Sequence, residues 1–222
     1  NMKNDLHTLE PSKNFSLKRI PQMITMEEAN TIIDFFKTHP HLHNGEVPWN
    51  KPWDKTEEQG YARLNINHIR NEEIRRILRR IEYQSVAHIY KEFGYLVYPE
   101  RTQVNAWKML NCQPHHNDSY TSDDMQNGYS ENIKPHRFFT TMTYLNDDYK
   151  GGELYFPPQP KLLAGMEIEP VACESVIFQG IDQEHGVRYI RRNYRWSIAS
   201  WFTIREDKMN LHPPLDPSDD RF

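Results

Sequence analysis

His116 and Asp118 lie two residues apart, His185 follows the aspartate by 67 residues, and Arg195 follows that histidine by ten. Two imidazoles and one carboxylate are the donor set of a non-haem Fe(II) site, which leaves positions open on an octahedral metal. A metal held this way can bind and activate dioxygen. A nearby arginine offers a two-pronged donor to a carboxylate-bearing cosubstrate.

In a strand, residues two apart face the same side. His116 and Asp118 therefore point one way and Asn117 the other. His115 competes as a ligand, but its neighbour two along is Asn117, a poorer donor than a carboxylate. His185 opens an expected strand and is placed to give the third donor. A His-x-Asp tripeptide alone also arises by chance as a surface or hydrogen-bonded histidine, and the downstream His and Arg give it meaning. Alternation along 194–202 puts Arg195, Ser197, Ala199 and Trp201 on one face. An arginine among apolar strand neighbours is costly unless paired. It needs either a core acid or a bound dicarboxylate.

These residues need a scaffold, and the patterning suggests one. Thr25 with Glu28 three residues later fits a capping box, so 26–38 should be a helix ending at His39-Pro40. Residues 40–62 read as a long loop. Asn71 is a good N-cap for a second helix with Ile74, Ile77, Leu78, Ile81 and Ile89 at helical spacing, and Gly94 stands at its C-terminal cap. The four arginines 75, 76, 79 and 80 read as its solvated face.

After Gly94 the pattern turns to short β-branched and aromatic runs at 95–99, 102–110, 114–118, 137–145, 152–156, 165–169, 174–179, 184–188 and 194–204. A further short strand is expected at 15–20. Strands in this number behind two helices fit a mainly β fold, the double-stranded β-helix or jelly roll of the cupin type. One domain over 1–222 is expected, with helical support at about 20–94, the jelly-roll core at about 95–205 and an extended tail at 206–222. The polar stretch 119–136 follows the ligand pair as a candidate lid.

Net charge is −4, which argues against a nucleic-acid partner. The two cysteines, Cys112 and Cys173, form no spaced framework and read as small hydrophobes. No apolar run reaches bilayer length and no hydrophobic leader is evident, so a soluble, cytoplasmic protein without a membrane partner is expected.

The segment from Gln103 to Phe202 resembles the 2-oxoglutarate- and Fe(II)-dependent dioxygenases, most closely their prolyl 4-hydroxylase-like branch. The matching stretches are Gln113-Pro114-His115-His116-Asn117-Asp118, then Arg137 through Asn146 with its Tyr-Leu-Asn end, then Gly151-Gly152-Glu153-Leu154-Tyr155-Phe156, then His185 to Phe202. The resemblance implies that His116, Asp118 and His185 bind Fe(II). It implies that Arg195 and Tyr144 hold the distal carboxylate of 2-oxoglutarate and that Trp201 walls the metal. Trp107 stands where many relatives carry a tyrosine that touches this cosubstrate. The double glycine reads as a tight turn. Fe(II), 2-oxoglutarate and O2 are the implied cofactors, and ascorbate is compatible with them.

The branch implies hydroxylation of a prolyl residue in a peptide or protein, with succinate and CO2 as co-products. Collagen-type prolyl 4-hydroxylases carry lysine at the Arg195 position, which together with the missing leader favours an intracellular target. A free amino acid or small metabolite is the second substrate class. A metal-free cupin-like binding module is the non-enzyme reading. Nucleic-acid demethylases of this superfamily carry a second arginine six residues after the first, and that position here is Trp201.

Overall fold

The fold is built around one antiparallel ladder, which the computed structural model describes over residues 14–42, 62–119 and 136–210. Strand β3 (Tyr98–Trp107) pairs along its whole length with β12 (Arg195–Thr203), and β12 pairs on its other side with β5 (Arg137–Tyr144). Adding β9 (Ser175–Phe178), β1 (Leu17–Ile20) and β2 (Ala62–Asn65) gives a six-stranded sheet in the order β1-β9-β5-β12-β3-β2. The opposing sheet has the order β4-β10-β7-β8, from Gln113–His116, His185–Val187, Leu154–Phe156 and Met166–Ile168. A small ladder joins β6 (Lys150–Gly151) to β11 (Ile190–Arg192). Two facing antiparallel sheets of this connectivity form the expected double-stranded β-helix.

Both helices begin and end where their caps require. Thr25 and Glu28 exchange side-chain and backbone hydrogen bonds at the start of α1 (Met26–Thr38). Asn71 accepts from Ile74 N at the start of α2 (Glu72–Phe93), and Gly94 closes it in the left-handed conformation at φ 77°. Their apolar stripes, among them Ile32, Phe36, Ile77, Leu78 and Ile81, pack on the outer face of the six-stranded sheet against Val104, Phe139, Ile177, Ile198 and Phe202. Each such side chain contributes roughly 1.5–3 kcal/mol on burial.

The inner face of that sheet carries the alternate residues. Met142, Tyr144, Val176, Phe178 and Ala199 meet Leu154, Phe156 and Ile168 of the opposing sheet. This second core is small, and its open end holds the polar residues described below.

Three expectations change. The runs at 95–99 and 102–110 form one strand, because Pro99 falls at a register shift opposite Phe202 rather than at a break. Ala62–Asn65 is an edge strand at the end of the expected 40–62 loop, and it pairs Leu64 with Val104. The tail is not extended at its start: Glu206–Lys208 makes a 3-10 turn, and Asn210 N donates to Pro99 O at 2.8 Å. Most of the loop 40–62, the stretch 120–135 of the candidate lid, and the tail beyond 210 lie outside the described residues.

Candidate active site

The two histidines meet because their strands pair. His185 of β10 stands opposite His116 of β4 in an antiparallel register, with ring centroids 4.7 Å apart. Strand β4 lies at the edge of its sheet, where Pro114 costs no ladder bond. Asp118 lies past the end of β4, in a turn rather than on the strand expected over 114–118, and its backbone N–H donates to Gly180 O at 2.9 Å. One side-chain donor from each of His116, Asp118 and His185 lies within 4.8 Å of the others. Nε2 of His116 is 3.6 Å from Asp118 Oδ1, and Nε2 of His185 is 3.5 Å from Asp118 Oδ2.

The surroundings set each donor. His116 Nδ1 faces Pro114 O at 3.0 Å and His185 Nδ1 faces Gln183 O at 2.9 Å. A nitrogen that faces a carbonyl must carry the proton, so both Nε2 lone pairs point into the cluster. This is the tautomer that a metal requires. The Gln113 side-chain amide donates to His116 Nε2 at 3.2 Å, marking that lone pair as an acceptor. Thr140 Oγ1 donates to Asp118 Oδ2. Gln183 is itself clamped to Ser16, receiving its N–H at 2.6 Å and donating to its carbonyl at 2.9 Å. A Cβ on Gly180 would sit 2.4 Å from Asp118 Oδ2, so only glycine leaves the carboxylate its place.

Burial works against ionising Asp118, but the imidazoles, His185 foremost, outweigh it and hold the carboxyl well below its usual range. Burial would also lower the His116 imidazole, and the adjoining carboxylate lifts it above its ordinary value. Two neutral-capable imidazoles and an ionised carboxylate suit a divalent first-row metal with open positions. Asn105, Trp107, Met142, Leu154, Val187 and Trp201 line the cavity over this cluster.

Arg195 is fully buried. Its Nη1 donates to Ser197 Oγ at 3.0 Å, whereas Nε and Nη2 have no hydrogen bond of normal length and angle among the described residues. Its guanidinium carbon lies 5.3 Å from the Trp107 ring and 5.4 Å from the Tyr144 ring. The Tyr144 hydroxyl is buried, and no acceptor takes its proton among the described residues. A buried cation with unspent donors costs several kcal/mol unless an anion completes it. No acid forms an ion pair with it among the described residues. The donor set thus fits a ligand that brings a carboxylate.

All seven residues singled out from the sequence line this end of the sandwich. Trp201 lies over the cavity with Arg137 stacked on it at 5.1 Å, and Arg137 in turn donates to Glu100. His115 turns away and pairs with Glu184 at 3.0 Å. Thr140, Gln113, Gln183 and Gly180 also belong to the site, and the sequence reading did not single them out.

Residues 102–203 match the family model described as the 2OG-Fe(II) oxygenase superfamily. Among solved structures, a Pseudomonas putida prolyl-4-hydroxylase superposes with a TM-score of 0.63 at 18% identity, covering 91% of this chain and 97% of that one. A Trichoplax adhaerens prolyl hydroxylase in complex with a hypoxia inducible factor oxygen degradation domain peptide fragment gives 0.62 at 16% identity, over 86% and 84%. At these identities the likeness is one of fold. Human prolyl 3-hydroxylase 1 is 35% identical over 69 residues, which is 31% of this chain and 9% of that protein. The chain thus spans about a tenth of the length of the curated relatives it matches.

Proposed function

From the membership of residues 102–203 in the 2OG-Fe(II) oxygenase superfamily, we propose that the chain hydroxylates a prolyl residue in a peptide or protein, consuming 2-oxoglutarate and O2. Fe(II) would be held by His116, Asp118 and His185, and the distal carboxylate of 2-oxoglutarate by Arg195 and Tyr144. When bound, the iron and the 2-oxo acid supply the oxidising chemistry, with succinate and CO2 as co-products. The single observation that carries the reading is a buried guanidinium, two of whose nitrogens have no partner among the described residues, beside a His-Asp-His cluster.

The protein's own residues orient and exclude. Pro114 O and Gln183 O fix the two imidazole tautomers. Thr140 fixes the carboxylate rotamer. Arg195 sets how deep a five-carbon diacid enters, and so which end of it faces the metal. Leu154, Val187 and Met142 keep the cavity dry, which strengthens each of these contacts. The prolyl assignment draws support from the prolyl hydroxylases of similar fold, one of them with a bound peptide.

The test is succinate release over a panel of proline-containing peptides and free amino acids, with mass spectrometry of the products. A gain of 16 mass units on a prolyl residue is expected from the addition of one oxygen, lost in Asp118→Ala and in His185→Ala. Turnover confined to free amino acids would replace the prolyl-peptide substrate. Unchanged turnover in Asp118→Ala would overturn the ligand assignment.

A further inference from the structure

Tyr149 is buried beside Arg195, and none of the roles above uses it. Its side chain is buried, and no acceptor takes its hydroxyl proton among the described residues. Such a hydroxyl costs about 1–3 kcal/mol unless a ligand satisfies it.

The chain takes trouble to put Tyr149 there. It ends the turn between β5 and β6, and that turn is fastened to both flanks of Arg195. Asn146 Nδ2 donates to Tyr194 O at 2.8 Å, and Trp196 N donates to Asn146 Oδ1 at 2.8 Å. Asn193 Nδ2 donates to Asp148 O at 2.7 Å. Gly152, at φ 70°, then lets the ring and the arginine stem approach. A Cβ there would lie 2.9 Å from Arg195 Cδ and 3.2 Å from Tyr149 Cε2.

The chemistry of the cluster selects its ligand. Arg195 offers the N–H groups of Nε and Nη2, and Tyr144 and Tyr149 each offer one O–H. Burial pushes both phenols above their ordinary range, with Arg195 opposing, so both are neutral donors at any physiological pH. Converging N–H and O–H donors around one fixed positive charge suit a carboxylate, which accepts at about four lone-pair sites and carries one negative charge. Trp107 adds the face of its ring to the guanidinium.

We propose that the Tyr149 hydroxyl donates to the distal carboxylate of the 2-oxo acid, completing the site formed by Arg195 and Tyr144. This rests on the reading that the cavity takes 2-oxoglutarate.

The experiment is calorimetric titration of the full chain, loaded anaerobically with Mn(II), with 2-oxoglutarate and separately with 2-oxovalerate, which lacks the distal carboxylate. Tyr149→Phe should weaken 2-oxoglutarate roughly tenfold, as expected for loss of one charge-assisted bond. It should leave 2-oxovalerate within about twofold, since that ligand never meets the hydroxyl. The unliganded variant should melt close to the wild type, because no acceptor for the hydroxyl proton lies among the described residues. Unchanged 2-oxoglutarate binding in Tyr149→Phe, with weakened binding in Arg195→Ala, would overturn the role of Tyr149 alone. Equal weakening of both ligands would also overturn it. Unchanged binding in Arg195→Ala as well would remove the cosubstrate reading beneath it.

Discussion

Thr140→Val is the sharpest probe of how the metal ligands are held. The threonine hydroxyl donates to Asp118 Oδ2 in a buried setting, and valine keeps the shape while removing the donor. A hydrogen bond to a charged group contributes roughly 1.5–3 kcal/mol, and the buried carboxylate oxygen would be left facing an aliphatic methyl. For a domain of this size each kcal/mol lowers Tm by about 2–4 °C, so the metal-free variant should melt roughly 3–12 °C lower. A bond kept on metal binding contributes little directly to metal affinity, because its energy is present in both states. What remains is the freed carboxylate rotamer, and loss of such a supporting contact typically costs about 10–100-fold in affinity. Competition of Mn(II) between the protein and a fluorescent chelator reads this, and Thr140→Ser should recover most of the loss. Wild-type metal affinity in Thr140→Val would refute the claim that this hydroxyl orients Asp118.

Gly180→Ala places a methyl 2.4 Å from Asp118 Oδ2 and 2.7 Å from Thr140 Oγ1, so it should weaken metal at least as much as Thr140→Val with an unchanged far-ultraviolet circular dichroism spectrum. Gln183→Ala opens both hydrogen bonds to Ser16 and should cost about 1–3 kcal/mol in urea unfolding of the metal-free protein. Glu28→Gln removes the charge partner of Arg80, a half-exposed pair worth about 0.2–1 kcal/mol. Arg80 holds the Glu28 carboxyl below its ordinary value, so this stability is present above the usual carboxylate range and lost as pH falls through the lowered one. Urea midpoints of wild type and variant should therefore differ at neutral pH and converge in acid.

Local rules made much of the scaffold legible. Thr25, Asn71 and Gly94 act within a few residues of themselves, so both helix starts and the second helix end could be read directly. Two-residue alternation placed Arg195 and Trp201 on the inner face, where they lie. The same rule applied back from Tyr144 reaches Met142 and Thr140, a signal that was present and unused. The carbonyls of Pro114 and Gln183 could not be read, because backbone groups carry no residue signature and their aim depends on turn geometry. Ala62–Asn65 escaped because four residues with two apolar positions only declare themselves as a strand once β3 lies beside them. Gly180 is informative only in three dimensions, where the atom it lacks would collide with a side chain 62 positions earlier.

The anchoring of the three donors has a mechanical consequence. His116 and His185 hang from the four-stranded layer, while Asp118 is tied through Gly180 and Thr140 to the six-stranded one. An ion gripped by all three acts as a rivet through the rim of the sandwich. At a free concentration 100 times its dissociation constant it adds about 2.7 kcal/mol against unfolding. Scarcity of the ion would then do more than idle the chemistry: it would leave the lip of the barrel unfastened and open to proteases.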